Sequence, residues 1–303
     1  MLETNGVVLR TVVEGDGPLV ILLQGWPQCW YLWRFQIDPL VKAGYRIAVP
    51  EQRGYGVSSK LDAIEEYDII KLTDDVAGIA KALGHDEFHL IGHDWGCIVA
   101  WNTALLHEST CKSVMGLSVP FWRPTIEMME PPGTEDKFWF MRYLQEPGVA
   151  EAEFEKDLRL SLRHIYFALS AESPPLSWLR QLEFGPDNGL LDVLPKTDRL
   201  PRCVTSEDFE YYVEQFEASG FRGPNNWYRN LKQHTALTPQ LDGKKFSQPA
   251  AFVAGVDDDV PQFAPAFEDL RVIEMVEGAG HWVQMEKPEE TTALILKFLE
   301  SVA

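Results

Sequence analysis

Short, nearly continuous apolar runs alternate with stretches of helical spacing over the first 119 residues. "LVILLQG" (19–25), "YRIAVPEQ" (45–52), "FHLIGH" (88–93) and "SVMGLSV" (113–119) have the length and composition of strands. "GVVLRTVVEG" reads as a hairpin near the start, and helical patterns run near 71–83 and 95–107. Strands without polar alternation are covered on both faces, so the pattern predicts an α/β fold, a mostly parallel sheet with helices on each side. The alternation resumes late, with "AAFVAGV" (250–256), "RVIEMVE" (271–277) and a helical tail, "PEETTALILKFLESV".

Between 120 and 235 there are no clear strand runs, and aromatic and acidic residues recur at helical spacing, as in "EDFEYYVEQFEAS". The expected organisation is a sheet-based core of residues 1–119 and 236–303, interrupted by a helical insertion at 120–235. Open parallel sheets bind ligands outside the carboxyl ends of their strands. A helical insertion at that edge is therefore expected to act as a cap over a binding site.

Composition narrows the class. A hydrophobic fraction of 45% in 303 residues is enough for a sizeable core. The cysteines, Cys29, Cys97, Cys111 and Cys203, are widely spaced without a CxxC pair, which predicts reduced structural thiols and neither metal site nor disulfide. A formal charge of −19 repels phosphate backbones and anionic membranes, so nucleic acid is not an expected partner. No run approaches the ~20 apolar residues of a membrane span, and "MLETNGVVLR" has no signal-peptide pattern. These features predict a soluble, cytoplasmic protein; a monomer or homodimer is the expected assembly, though none of these features sets it.

The chemistry centres on "IGHDWGCIVAW" (91–101), an apolar strand, a sharp turn and a helix, with Asp94 at the turn. Gly92 and Gly96 let strand and helix pack closely around a strained turn that exposes the middle side chain. The plainer alternative is Asp94 as an ordinary helix N-cap. "QGWP" (24–27) is a second tight turn, with Pro27 a candidate for a cis bond and the Trp26 N–H a candidate oxyanion donor beside that of Trp95. "AGHW" places His281 after a strand, "GVDDD" places acidic residues after another, and the other six histidines read as structural. Nucleophile, acid and histidine, in that order and each past a strand end, form a triad arrangement.

With these motifs the chain resembles the epoxide hydrolase family, the soluble type with an aspartate nucleophile, within the α/β-hydrolase superfamily. "QGWP" is similar to the family's HGxP, "RGYGVSS" to its RGYGxS and "GHDWG" to its nucleophile elbow. In the insertion, "YLQEPGVAEAEFE" (143–155) and "GFRGPNNWYRN" (220–230) resemble segments flanking the family's ring-opening tyrosines. The resemblance implies an eight-stranded sheet with a helical cap, no cofactor and no metal. It implies hydrolysis of a small apolar epoxide to a vicinal diol, with Asp94 as nucleophile, His281 as general base and Asp258 as the acid that orients it. Asp257 and Asp259 stand as alternatives to Asp258.

Aspartate suits this chemistry because it is already an anion at neutral pH and can displace a leaving group at saturated carbon without a base. The resemblance nominates Tyr228 as proton donor to the opened ring, with Trp139, Phe140 and Tyr143 in the substrate pocket. Phe140 stands where the family has a second tyrosine, and Gln24 stands where its turn has histidine. Gln24 is expected to support the turn, and Glu51, in "PEQRGYG", is expected to be structural.

A haloalkane or haloacid dehalogenase would share Asp94, His281 and the acid but would cradle a halide with N–H donors such as those of Trp95 and Trp139. Against it, Trp26 stands where many dehalogenases have Asn, and Trp95 where the fluoroacetate-type enzymes carry Arg. A non-catalytic ligand receptor would have no need to keep nucleophile, base and orienter together. A serine esterase would need a Gly-x-Ser-x-Gly elbow, and the sequence has none.

Overall fold

The computed structural model describes residues 1–174, 179–255 and 261–303. Its strands are β1 (Leu2–Thr4), β2 (Val7–Leu9), β3 (Thr11–Glu14), β4 (Leu19–Leu23), β5 (Arg46–Pro50), β6 (Phe88–His93), β7 (Cys111–Leu117), β8 (Phe246–Gly255) and β9 (Phe267–Val276). Among the described residues seven of them form one sheet in the order β3-β5-β4-β6-β7-β8-β9, parallel throughout except for β3. Every residue of β4 is buried, as expected of a strand with no polar alternation.

Two expectations are corrected at the N-terminus. Among the described residues the sheet has seven strands rather than eight, and β1 and β2 pair only with each other. The hairpin is likewise Leu2–Leu9 rather than the whole of "GVVLRTVVEG", since β3 pairs with β5. The break falls at Arg10. Its N–H donates to Ser58 Oγ at 2.9 Å and its carbonyl accepts from the Glu51 N–H at 2.8 Å, so the loop after β5 captures the backbone that would have continued the ladder.

The helices of the core follow the parallel strands. α1 (Arg34–Lys42) comes after β4, α2 (Ile69–Ala82) after β5 and α3 (Trp95–Leu106) after β6. α3 is apolar all round and buried at every position except its last, wedged against β6, β7 and α2. Such a helix belongs to the interior, which fixes the start of α3 rigidly at the strand ends.

From β7 to β8 the described residues hold helices and no strand: α4 (Ile126–Met129), α5 (Phe140–Tyr143), α6 (Val149–Lys156), α7 (Leu158–Ala168), α8 (Leu190–Val193), α9 (Ser206–Ser219), α10 (Arg222–Arg229) and α11 (Leu231–Leu237). The chain closes with α12 (Val283–Glu286) and α13 (Pro288–Glu300), which pack with α1. The intervening helices are tied to the core at the strand ends. Asn225 Oδ1 accepts from the Trp26 indole N–H at 3.2 Å, the Tyr166 hydroxyl donates to Pro27 O at 2.9 Å, and Arg34 pairs with Asp208 at 3.1 Å. Among the described residues no helix is long and apolar enough to cross a membrane.

Candidate active site

Asp94 sits between β6 and α3 with φ +54° and ψ −122°, a strained conformation for a residue with a side chain. Its carboxylate makes no capping bond to the helix, so the N-cap alternative fails. The flanking glycines explain how the turn is built. A Cβ on Gly92 would lie 2.2 Å from the Gly96 carbonyl oxygen, and one on Gly96 would lie 2.3 Å from that of Leu23. The third approach is at Gly25, where a Cβ would meet Asp94 Oδ1 at 2.3 Å.

The two oxygens of Asp94 face different partners. Oδ1 accepts from the Trp26 backbone N–H at 2.5 Å, and Oδ2 lies 3.5 Å from His281 Nε2. Trp95 is the first residue of α3, and its N–H stands at the helix start beyond the reach of the intrahelical ladder. The "QGWP" turn that supplies the Trp26 donor has a cis bond before Pro27. Gln24 supports it: with its amide nitrogen turned to Pro50 O (2.8 Å) and its oxygen to the Gln52 N–H (3.1 Å), both ends are paired. Gln52 Nε2 donates back to Gln24 O at 2.6 Å. Glu51 is fully buried and paired with Arg10 at 3.3 Å, a structural position as expected.

Among the described residues the backbone of His281 has two side-chain partners. Its carbonyl accepts from the Ser118 hydroxyl at 2.8 Å and from His93 Nε2 at 2.7 Å. Burial, reinforced by the neighbouring His281, lowers the His93 pKa to about 3, so its ring stays neutral and Nε2–H serves as the donor. Neither Ser118 nor His93 is identifiable from the sequence as a support for His281; the only local sign is the position of His93 inside the elbow. Asp258, with its alternatives Asp257 and Asp259, lies outside the described residues.

Tyr228 reaches the site from α10. Its ring is edge-on to Trp95 at 5.0 Å, to Trp26 at 5.9 Å and to Phe140 at 6.1 Å. Burial and then the Asp94 carboxylate hold its hydroxyl well above the ordinary tyrosine range, keeping it protonated. Phe140 is thus part of the same cluster but brings no hydroxyl. Tyr143, one turn along α5, donates to Glu153 at 2.8 Å, so its hydroxyl is committed within the helical segment. Trp139 packs on Phe140 at 5.4 Å, and its indole N–H donates to Met128 O at 2.9 Å. A halide cradle using Trp139 is therefore not formed.

A family model for the alpha/beta hydrolase fold matches residues 18–288. Epoxide hydrolase A of Mycobacterium tuberculosis is 39% identical over 99% of this chain and 96% of its own length. The bifunctional epoxide hydrolase 2 of Sus scrofa is 36% identical over the whole of this chain, which spans 55% of that larger protein. The crystal structure of epoxide hydrolase A from Mycobacterium thermoresistibile superposes with a TM-score of 0.93 at 39% identity, covering 99% of this chain and 97% of the other.

Proposed function

Because the chain belongs to the epoxide hydrolase family on the α/β-hydrolase fold, we propose that it hydrolyses a small apolar epoxide to a vicinal diol through an ester on Asp94. The observation that carries this reading is the split of the Asp94 carboxylate, with Oδ1 on the Trp26 N–H at 2.5 Å and Oδ2 3.5 Å from His281 Nε2. The helical segment 120–235 acts as the cap, and it brings Tyr228 to the strand ends.

In the first step Oδ2 attacks an epoxide carbon, the ring C–O bond breaks and the oxygen takes the Tyr228 proton. Two causes hold the Tyr228 pKa up, burial and the Asp94 charge. Alkylation converts the carboxylate to a neutral ester and removes the second. The proton thus becomes easier to give as the ring opens.

In the second step His281 Nε2 takes a proton from water, whose oxygen bonds to the ester carbonyl carbon. Negative charge collects on Oδ1, which already lies on the Trp26 N–H, with the Trp95 N–H as second donor. A donor in this role is worth about 10²–10³ in rate. The tetrahedral intermediate collapses with loss of the diol alkoxide, which takes the proton from His281; Asp94 is left as a carboxylic acid, and the proton it then releases to solvent balances the one the Tyr228 phenolate takes up, which restores both groups. Asp258 serves as the residue that orients His281. The wall around Tyr228 is aromatic, which supports an apolar or aromatic-bearing substrate. Cytoplasmic residence, in monomeric or homodimeric form, completes the proposal.

Turnover of styrene oxide in ¹⁸O water tests the mechanism. Over several turnovers peptide mass spectrometry is expected to find the label in Asp94. Diol formation with an unlabelled Asp94 overturns the covalent route.

A further inference from the structure

The two backbone N–H groups that flank His281 both donate to one side chain. Glu286 Oε1, from α12, lies 3.1 Å from Gly280 N and 3.2 Å from Trp282 N. Its other oxygen, Oε2, accepts from the Ala171 N–H at 2.8 Å, just past the end of α7. His281 itself donates from its backbone N–H to Leu169 O in that same stretch, at 2.9 Å. A single half-buried carboxylate thus joins residues 280–282 of the core to residues 169–171 of the helical segment. The two backbones are in close approach there: a Cβ on Gly280 would lie 2.5 Å from Ala171 N.

We propose that Glu286 is a positioning residue for ester hydrolysis: by gripping the backbone on both sides of His281 it aims Nε2 at the Asp94 ester, and by gripping Ala171 it ties that aim to a seated helical segment. The proposal rests on the reading of Asp94 and His281 given above. Each of its three acceptor bonds goes to a backbone N–H, charge-assisted and therefore about twice as strong as a neutral bond. Burial raises the carboxyl's pKa, and these backbone donors together with His281 offset part of that rise.

The consequence is confined to one half of the reaction. Ring opening uses Asp94 and Tyr228, so loosening His281 slows only the attack of water. When the second of two covalent steps is slowed, kcat and KM fall by the same factor, kcat/KM holds and the ester accumulates. A general loss of fold lowers the active fraction instead and leaves the ester per competent site at the wild-type level.

Wild type, Glu286→Gln, Glu286→Ala and His281→Gln are compared on styrene oxide by steady-state kinetics and by acid quench with intact-mass detection of the ester. Glu286→Gln preserves volume but sets an amide N–H₂ against one of the donors. Both Glu286 variants are expected to lose about tenfold to a hundredfold in kcat, with a matching fall in KM, an unchanged kcat/KM and ester present in the steady state. The ester burst counts competent sites in each sample, so a partly unfolded variant is still informative. If His281→Gln traps the ester while the Glu286 variants keep wild-type kcat, or lose kcat/KM without accumulating ester, the positioning role is overturned and the covalent mechanism stands. If His281→Gln forms no ester, the functional reading itself fails and this proposal with it.

Discussion

The ring of Phe140 lies 6.1 Å from that of Tyr228 at an interplanar angle of 82°, so this neighbour of the proposed proton donor is a hydrocarbon. Tyr143 does not replace the missing hydroxyl, because its own is bound to Glu153. Restoring a second donor with Phe140→Tyr is expected to raise the ring-opening rate about fivefold, the equivalent of one neutral hydrogen bond of ~1 kcal/mol. Tyr228→Phe is expected to lower it by about 10²–10⁴. Single-turnover stopped-flow of the burst reads both; an unchanged rate in Tyr228→Phe would place the proton donor elsewhere.

Gln24 is fully buried, and its amide joins Pro50 O to the Gln52 N–H behind the Trp26 donor. Gln24→Leu keeps the volume but leaves both backbone groups unpaired. Urea unfolding is expected to show a loss of roughly 2–4 kcal/mol, from ~1–3 kcal/mol for each unsatisfied group. The residual folded enzyme should hydrolyse its ester more slowly, as the aim of Trp26 loosens.

The elbow tolerates no added methyl. With a Cβ at Gly92 or Gly96 only 2.2–2.3 Å from a facing backbone oxygen, relief requires α3 to separate from β6 in the first case and from the end of β4 in the second. Gly92→Ala and Gly96→Ala are each expected to cost several kcal/mol, in the exceptional range for single substitutions. Thermal melting checks this. A melting temperature within a few degrees of wild type would mean that strand and helix are free to move apart.

His93 and His234 are buried, and burial lowers each pKa from 6.5 to about 3, assisted at His93 by His281 and at His234 by Arg123. Below pH 6.5 the unfolded chain binds protons that the folded chain refuses until about pH 3. This contribution to stability is therefore complete above pH 6.5 and is lost as pH falls, at on the order of 1 kcal/mol per pH unit for each histidine. Glu51 and Glu286, whose pKa values burial raises, act in the opposite sense and soften the slope. His234→Gln retains a donor for Asn102 Oδ1, the present partner of His234 Nε2 at 2.9 Å. Urea midpoints measured from pH 7 to 5 should fall less steeply in that variant.

The elements most legible in the sequence are those set by short-range rules. Buried strands announce themselves as apolar runs: "LVILLQG" and "FHLIGH" became β4 and β6 with ends within two residues of expectation. The elbow was equally plain, since two glycines around Asp94 follow from how close a strand and a helix must approach, and the contacts at Gly92 and Gly96 are of that kind. The hairpin was misread because the backbone of Arg10 is captured by Glu51 and Ser58, more than forty residues away, and local pattern carries no record of that competition.

The sequence by itself determined which side chains stand at the strand ends, because that depends on spacing along one element. Only the tertiary structure decided what each of them faces: Asp94 Oδ1 on Trp26, Oδ2 toward His281, Tyr143 turned to Glu153 and the Trp139 N–H to Met128. The contacts around His281 are of the same kind, since Ser118 and His93 reach its carbonyl and Glu286 the N–H groups on either side of it, each from a different part of the chain. Those relationships are fixed by how helices dock on a sheet, a sum of many weak contacts between distant segments. No periodicity in the chain encodes them one residue at a time.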